Sequence, residues 1–304
     1  MHNFPLPFYM KTIDTLVQDI YSLLGPEGND LDQDKIDKQV GLFAQHVTRH
    51  VKEFLQEKPV YRKGLRLSGI GRPSRQLWYD NQCSDQAIPF EPSTRIKFLY
   101  GHILEELLIL FSVLSGHKVT EAQKEIHVEG IKGHQDCKID GVLVDCKSTS
   151  HRGFDKFKYG TLEDDDPFGY IEQISAYAEG NDANEAAFLV INKQTGEICL
   201  TPIHSMEMIN AGDKIKQLKK AMDSSSPPSK CYSDVADVAS GNRKLAIGCV
   251  YCNHKNFVGR MLIKGKDYVC LNMHMGTGTY QMFLKLLKSL KYLTGNALEG
   301  KGQT

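Results

Sequence analysis

Net charge is absent from this chain, whose 304 residues hold 37 Lys and Arg against 37 Asp and Glu. No global field draws it toward nucleic acid, so any such binding must come from a local patch. No apolar run approaches the ~20 residues that cross a bilayer. The opening Met-His-Asn-Phe-Pro-Leu-Pro-Phe has no basic region followed by an apolar stretch and a small-residue cleavage site. A cytoplasmic location is therefore expected, with no membrane partner. Without a secretory leader, eight irregularly spaced cysteines read as free thiols or a metal site, not as a disulfide framework. Gly69-Ile70-Gly71 has neither a preceding strand nor the further glycine of a dinucleotide fingerprint. Tryptophan occurs once, as Trp78.

Chemistry concentrates between Gly133 and Thr149. The stretch reads as two short strands joined at Asp140-Gly141, because Asp-Gly between β-prone runs suits a turn with φ > 0 at both central residues. That turn sets Ile139 opposite Val142, Lys138 opposite Leu143 and Cys137 opposite Val144, and so places Asp136 beside Asp145. Opposed residues have Cβ atoms about 5 Å apart, and alternation puts Lys147 on the face of Asp145. Two adjacent carboxylates destabilise a hairpin unless a cation compensates. Mg²⁺ or Mn²⁺, held by carboxylates, a backbone carbonyl such as that of Cys146, and water, would do so. A charged face turned to solvent is the plainer alternative. Against it, Val142-Leu143-Val144 leads into Asp145 as a core strand does.

Elsewhere, amphipathic helices are expected over about 10–25 and 31–56. From Tyr61 to Arg75, Arg62, Lys63, Arg66, Arg72 and Arg75 occur with no acidic residue, and Trp78 and Tyr79 follow. Cations with interleaved aromatics suit a phosphate backbone and unstacked bases, although Trp78 alone reads equally as core. Ser93 is positioned to cap a helix reaching Ser115, apolar nearly all round and so expected to be buried. Glu105 and Glu106 on that helix need a partner or a metal. Residues 119–129 read as a strand and 150–166 as a polar loop whose acidic run, Glu163 to Asp166, is solvated. A helix over about 168–179 aligns Tyr170, Gln173 and Tyr177, and an apolar strand over 186–193 implies a βαβ return beside the hairpin. A further strand over 197–203, a helix to about Met222 and a Ser/Pro linker over 224–229 follow. Cys249-x-x-Cys252-x-His254 has the spacing of a metal knuckle, with Cys231 and Cys270 as distant ligand candidates. A structural cysteine pair, zinc and an iron–sulfur cluster all remain open there. A last helix over 280–293 carries Lys285, Lys288 and Lys291.

Gly133-x-x-Asp136, then Asp145-x-Lys147-Ser148, then Tyr170-x-x-Gln173-x-x-x-Tyr177 resembles the PD-(D/E)XK nuclease superfamily. The nearest branch is the RecB-like one, with phage exonucleases, the lambda exonuclease and CRISPR-associated RecB-like nucleases. Ser68, Gly71, Arg75 and Tyr79 match a further stretch of that family. The resemblance implies a restriction-endonuclease-like α/β core, a central mixed sheet flanked by helices, over 61–203. N-terminal helices over 1–60 and a cysteine-containing extension over 204–304 would complete the chain. It implies metal at Asp136, Asp145 and the family's helical glutamate, which Glu105, four residues after Gly101, fits better than Glu106. Lys147 would act on the attacking water, with Gln173, Ser148, Tyr170 and Tyr177 near the DNA phosphate. In the CRISPR-associated relatives an iron–sulfur cluster draws one cysteine from the position held here by Arg72-Pro73-Ser74. The expected activity is hydrolysis of DNA phosphodiesters, from ends, in phage replication, recombination or degradation. Expected partners are DNA and a phage single-strand-binding or annealing protein, in the host cytoplasm.

Overall fold

The computed structural model describes residues 11–26, 31–56, 63–232, 235–237, 242–244 and 247–254. Arg62, Cys270 and the helix expected over 280–293 lie outside these residues. Helix α1 (Leu16–Leu24) buries Leu16 and Ile20, and α2 (Gln33–Gln56) buries no residue fully. The basic segment continues into α3 (Ser74–Gln82), and α4 (Pro92–Leu114) follows. It starts one residue before Ser93, on Pro92, whose missing N–H costs nothing at a helix start. Burial along α4 is uneven. Glu106, Leu108, Leu110, Ser112 and Leu114 are buried, while Ile96, Phe98 and Tyr100 lie exposed, against the expectation of a helix covered throughout. Among the described residues no helix is long and apolar enough to cross a membrane.

The strand expected over 119–129 is two strands, β1 (Val119–Thr120) and β2 (Glu125–Val128). The second forms its own antiparallel hairpin with β3 (Ile131–His134) across Glu129-Gly130, where both residues have positive φ. Gly133 and His134 therefore belong to a neighbouring hairpin. The next pair is β4 (Cys137–Ile139) and β5 (Val142–Thr149), turning at Asp140 (φ 51°) and Gly141 (φ 92°). Its register is Cys137 with Val144, Lys138 with Leu143 and Ile139 with Val142, as the turn chemistry requires. Asp140 also accepts from the Lys118 N–H, which fixes the turn to the start of β1.

After β5 comes α5 (His151–Lys158) where a polar loop was expected. Phe154 and Phe157, one turn apart, are buried and supply the apolar face that so short a helix needs. Then α6 (Tyr170–Glu179) leads to β6 (Glu185–Asn192), parallel to β5, and β7 (Ile198–His204), antiparallel to β6. The result is a mixed five-stranded sheet in the order β1-β4-β5-β6-β7, with the expected crossover between β5 and β6. Helix α7 (Ala211–Met222) follows, capped by Asn210, whose side chain accepts the Asp213 N–H. Strands β8 (Val235–Asp237) and β9 (Asn242–Lys244) pair, and α8 (Ile247–Val250) is a single turn.

Strand alternation splits the core in two. Leu143, Ala186, Phe188 and Val190 face α5, α6 and α7. Val144, Cys146, Leu189 and Ile191 face α1 and α4. Asp145 and Lys147 share the parity of Leu143 and so face the α6 side.

Candidate active site

Strand β4 stops at Cys137, so beyond Val144 strand β5 keeps a hydrogen-bonded partner only in β6. On the open side Asp136 takes the place of the missing strand, its Oδ2 accepting the Cys146 N–H at 2.7 Å. The carbonyl of Cys146 points to the same side as its N–H, as both do in any β residue. The carboxylate of Asp136 thus sits beside that carbonyl.

Asp145 is 1% exposed. Lys147 Nζ makes an ion pair with its Oδ2, and Gln173 Nε2 on α6 donates to Oδ1 at 3.3 Å. Lys147 Nζ also lies 5.3 Å from the centre of the Tyr170 ring. Glu105 enters from α4, one of its oxygens accepting from Gln123 Nε2 at 3.0 Å. Its negative charge is felt by both aspartates. Burial, then the charges of Glu105 and Asp145, hold the Asp136 carboxyl well above the usual range. Burial also raises Asp145, against the pull of Lys147. Burial works against the Lys147 charge, but Asp145 and Asp136 outweigh it and hold the ammonium above the usual lysine range. Tyr177, packed 2% exposed behind Gln173, has its hydroxyl raised by burial and then by the same two aspartates.

The two glutamates of α4 separate cleanly. Glu106 turns to α2, where His46 Nδ1 lies 2.8 Å from Oε2 and His50 Nε2 3.3 Å from Oε1. His50 stacks on His102 at 4.9 Å. Glu106 therefore holds α2 against α4, and Glu105 is the one beside the aspartates. No pattern in the sequence ties His46 and His50, both on α2, to Glu106, and reasoning from the sequence did not connect them.

Two close approaches set α6 in place. A Cβ on Gly71 would fall 2.3 Å from Gly169 Cα, and one on Gly133 would fall 2.7 Å from Leu67 Cβ and 3.0 Å from Tyr177. Glycine at 71 and 133 thus lets the basic segment and β3 press on the helix bearing Tyr170, Gln173 and Tyr177. Asp166, expected to be solvated, instead accepts the N–H groups of Gly169 and Ile171 at the start of α6.

The basic segment is distributed otherwise than the site. Lys63 and Arg66 are exposed. Arg72 pairs with Asp80 at 2.6 Å, and Asp80 also meets His254 at 3.0 Å. Arg75 is 3% exposed, donating to the Pro228 carbonyl, with its guanidinium 5.5 Å from the Tyr79 ring. Trp78 Nε1 donates to the Ser224 carbonyl at 2.9 Å, and buried Tyr79 stacks on His254. Residues 224–229, expected as a free linker, are tied down by these bonds. Ser148 is half-buried on β5, 3.9 Å from the Cβ position of Gly101 on α4.

Cys231, Cys249 and Cys252 gather around Tyr232, whose hydroxyl is pushed up to about 12 by burial and by those three thiols. Among the described residues no group of three or more His, Cys, Asp or Glu side chains is closed around a point where a metal ion would sit. At the carboxylates the oxygens are turned to Lys147, Gln173, Gln123 and the Cys146 N–H. The donor chemistry still fits a hard divalent cation: three carboxylates and a carbonyl, crowded enough to push Asp136 upward.

Fold and site together define a mixed α/β protein with a buried carboxylate–lysine cluster where a strand is missing beside β5. No family model matches the chain, and no curated protein matches it. Nine solved chains do. A phage related exonuclease from Haemophilus somnus 129PT is 17% identical, with a TM-score of 0.38 over 52% of this chain and 91% of that one. LHK-Exo, an alkaline exonuclease from Laribacter hongkongensis, is 13% identical, with a TM-score of 0.29 over 51% and 91%. SSO0001 is 17% identical, with a TM-score of 0.39 over 71% and 95%. At these values none of the likenesses assigns an activity.

Proposed function

We propose that this chain is a Mg²⁺- or Mn²⁺-dependent deoxyribonuclease, acting as an exonuclease on DNA ends. The observation that carries the hydrolase reading is the meeting of Asp136, Asp145, Lys147, Glu105 and Gln173 at the gap beside β5. Exonuclease mode, and a place in phage DNA replication, recombination or degradation, rest on the motif order alone. The same holds for an annealing or single-strand-binding partner.

Asp136, Asp145, Glu105 and the Cys146 carbonyl would hold the cation. When bound, it supplies polarisation of the phosphate and a more acidic water. Lys147, a cation beside Asp145, would orient the attacking water and meet charge developing on a non-bridging oxygen. Gln173 donates to Asp145 Oδ1 and so restrains the rotation of the carboxylate, and the Tyr170 ring faces the Lys147 ammonium. Tyr177 packs behind Gln173 and limits its rotamers.

The test is incubation of purified protein with Mg²⁺ or Mn²⁺ and end-labelled linear DNA, beside a covalently closed circle. Loss of label from linear DNA with the circle intact is expected. Cutting of the circle would make the protein an endonuclease of the same chemistry. An inert protein under both metals would leave a non-catalytic DNA-binding subunit.

A further inference from the structure

The cations expected to meet DNA between Lys63 and Arg75 are partly consumed within the protein, whereas another pair is not. Lys97 on α4 and Lys193 after β6 are both exposed, and neither meets a carboxylate among the described residues. The Lys193 N–H donates to the Thr149 carbonyl at 2.9 Å, which places it at the end of β5 just past Lys147 and Ser148. Although the Lys193 residue is exposed overall, partial loss of water around its ammonium and then the charge of Lys97 hold it below the usual lysine range. Such a like-charged pair is relieved by an anion lying across it.

Around these lysines α4 shows apolar surface that nothing in the described residues covers. Phe98, 45% exposed, lies on the flank that carries Glu105 and meets Phe90 edge-on at 5.1 Å; Ile96 and Tyr100, 44% and 54% exposed, lie one turn apart on the other flank. The same helix passes 3.9 Å from Ser148 at Gly101 and delivers Glu105 one turn later. At about 1.5 Å per residue, Phe98 lies roughly 10 Å along the axis from Glu105. That is within reach of a nucleotide or two flanking the reacting phosphate.

We propose that the first three turns of α4, together with Lys193, form a docking surface for single-stranded nucleic acid that leads the strand to the carboxylates. This rests on the nuclease reading above. An unpaired base presents a π face to Phe98, which lies seven residues before Glu105 on the same face of α4, while phosphates meet Lys97 and Lys193; a duplex hides those faces in its stack. A second copy seated on this face about a two-fold axis would set the lysine pair against its own image, which is unfavourable.

The experiment is fluorescence anisotropy of labelled oligo-dT and of a blunt duplex in Ca²⁺, with salt titrations. Phe98→Ala is expected to weaken oligo-dT binding about tenfold while duplex binding stays within about twofold. Lys97→Ala with Lys193→Ala, both on exposed positions that leave folding intact, is expected to lower the oligo-dT salt slope by about 1.4, ~0.7 for each phosphate contact. Oligo-dT affinity and slope unchanged in the lysine pair would overturn the proposal. So would a dimer, seen by sedimentation velocity, that the aromatic variant converts to monomer, since the face would then belong to a second copy. Wild-type hydrolysis of thymidine 5′-p-nitrophenyl phosphate with Mn²⁺ tests the nuclease reading separately. Its absence sinks that reading, whereas activity there with unaltered oligo-dT binding in the variants sinks only the docking surface.

Discussion

Between Asp136 and Lys147 the charged side chains that approach the α6 side converge on one another, while between Lys63 and Tyr79 they scatter. Asp136, Asp145 and Lys147 share a gap left by the short β4, and Gln173 and Glu105 close on it from helices on opposite faces of the sheet. In the basic segment Arg72 goes to Asp80, Arg75 to a buried carbonyl, and Lys63 and Arg66 are exposed with no carboxylate partner among the described residues. Burying like charges together costs free energy that packing alone does not return. Arg75 is buried by itself, donating to the Pro228 carbonyl beside the Tyr79 ring with its Nε left without a partner. Convergence of unfavourable charge is therefore the better mark of chemistry, and a run of cations in sequence is the weaker one.

The largest expected effect breaks the comparison at its strong end. Asp145→Ala or Asp136→Ala should lower cleavage of linear DNA by about 10³-fold or more, since electrostatic stabilisation worth several kcal/mol is lost. Circular dichroism should remain that of the folded protein. Activity within twofold of wild type in either variant would sink the mechanism. Lys147→Ala should cost about 10²–10³-fold in rate with DNA affinity nearly unchanged, because a group acting on developing charge leaves ground-state binding alone. Affinity falling in step with rate would make Lys147 a binding residue.

The adjacent glutamates sharpen the contrast within one helix turn. Glu105→Gln should raise the Mg²⁺ concentration needed for half-maximal rate and barely move thermal unfolding. Glu106→Gln should do the reverse, destabilising the α2–α4 contact by about 1–3 kcal/mol as His46 and His50 lose a buried charged partner. Matching effects from the two substitutions would refute the division of roles.

Much of this was legible beforehand for identifiable reasons. Asp140-Gly141 demands positive φ at two positions, so it fixed a register that runs as far as Cys137 with Val144; Asp136 lies just past that ladder, its carboxylate on the Cys146 N–H. Glu129-Gly130 makes the same kind of turn between β2 and β3 but follows a strand of alternating exposed and buried residues, and it passed as the end of one long strand. Helix α5 hid because it is short and polar, its only signal being Phe154 and Phe157 three apart. The choice between Glu105 and Glu106 needed the position of α2, which no local pattern encodes. The inward turn of Arg75 had a faint signal: Tyr79 follows at i+4 on the same face of α3.

The smallest effect asks whether the basic segment contributes to DNA capture at all. Removing the Arg75 guanidinium leaves the Pro228 carbonyl without its donor and a gap against Tyr79, so Arg75→Ala should cost about 1–3 kcal/mol of stability. For a chain of this size each kcal/mol is a fall of about 1.5–2 °C in Tm. The slope of log K against log salt for DNA should not change, because a buried arginine touches no phosphate. Arg66→Ala is the matched control: exposed and unpaired among the described residues, it should leave Tm alone and flatten the slope by about 0.7–0.9 if it meets a phosphate. Both slopes are read in Ca²⁺ on protein shown to be folded at the assay temperature. A flattened slope in Arg75→Ala would mean that the arginine leaves Pro228 to reach the strand, and the contrast between the two regions would fail at the residue that defines it.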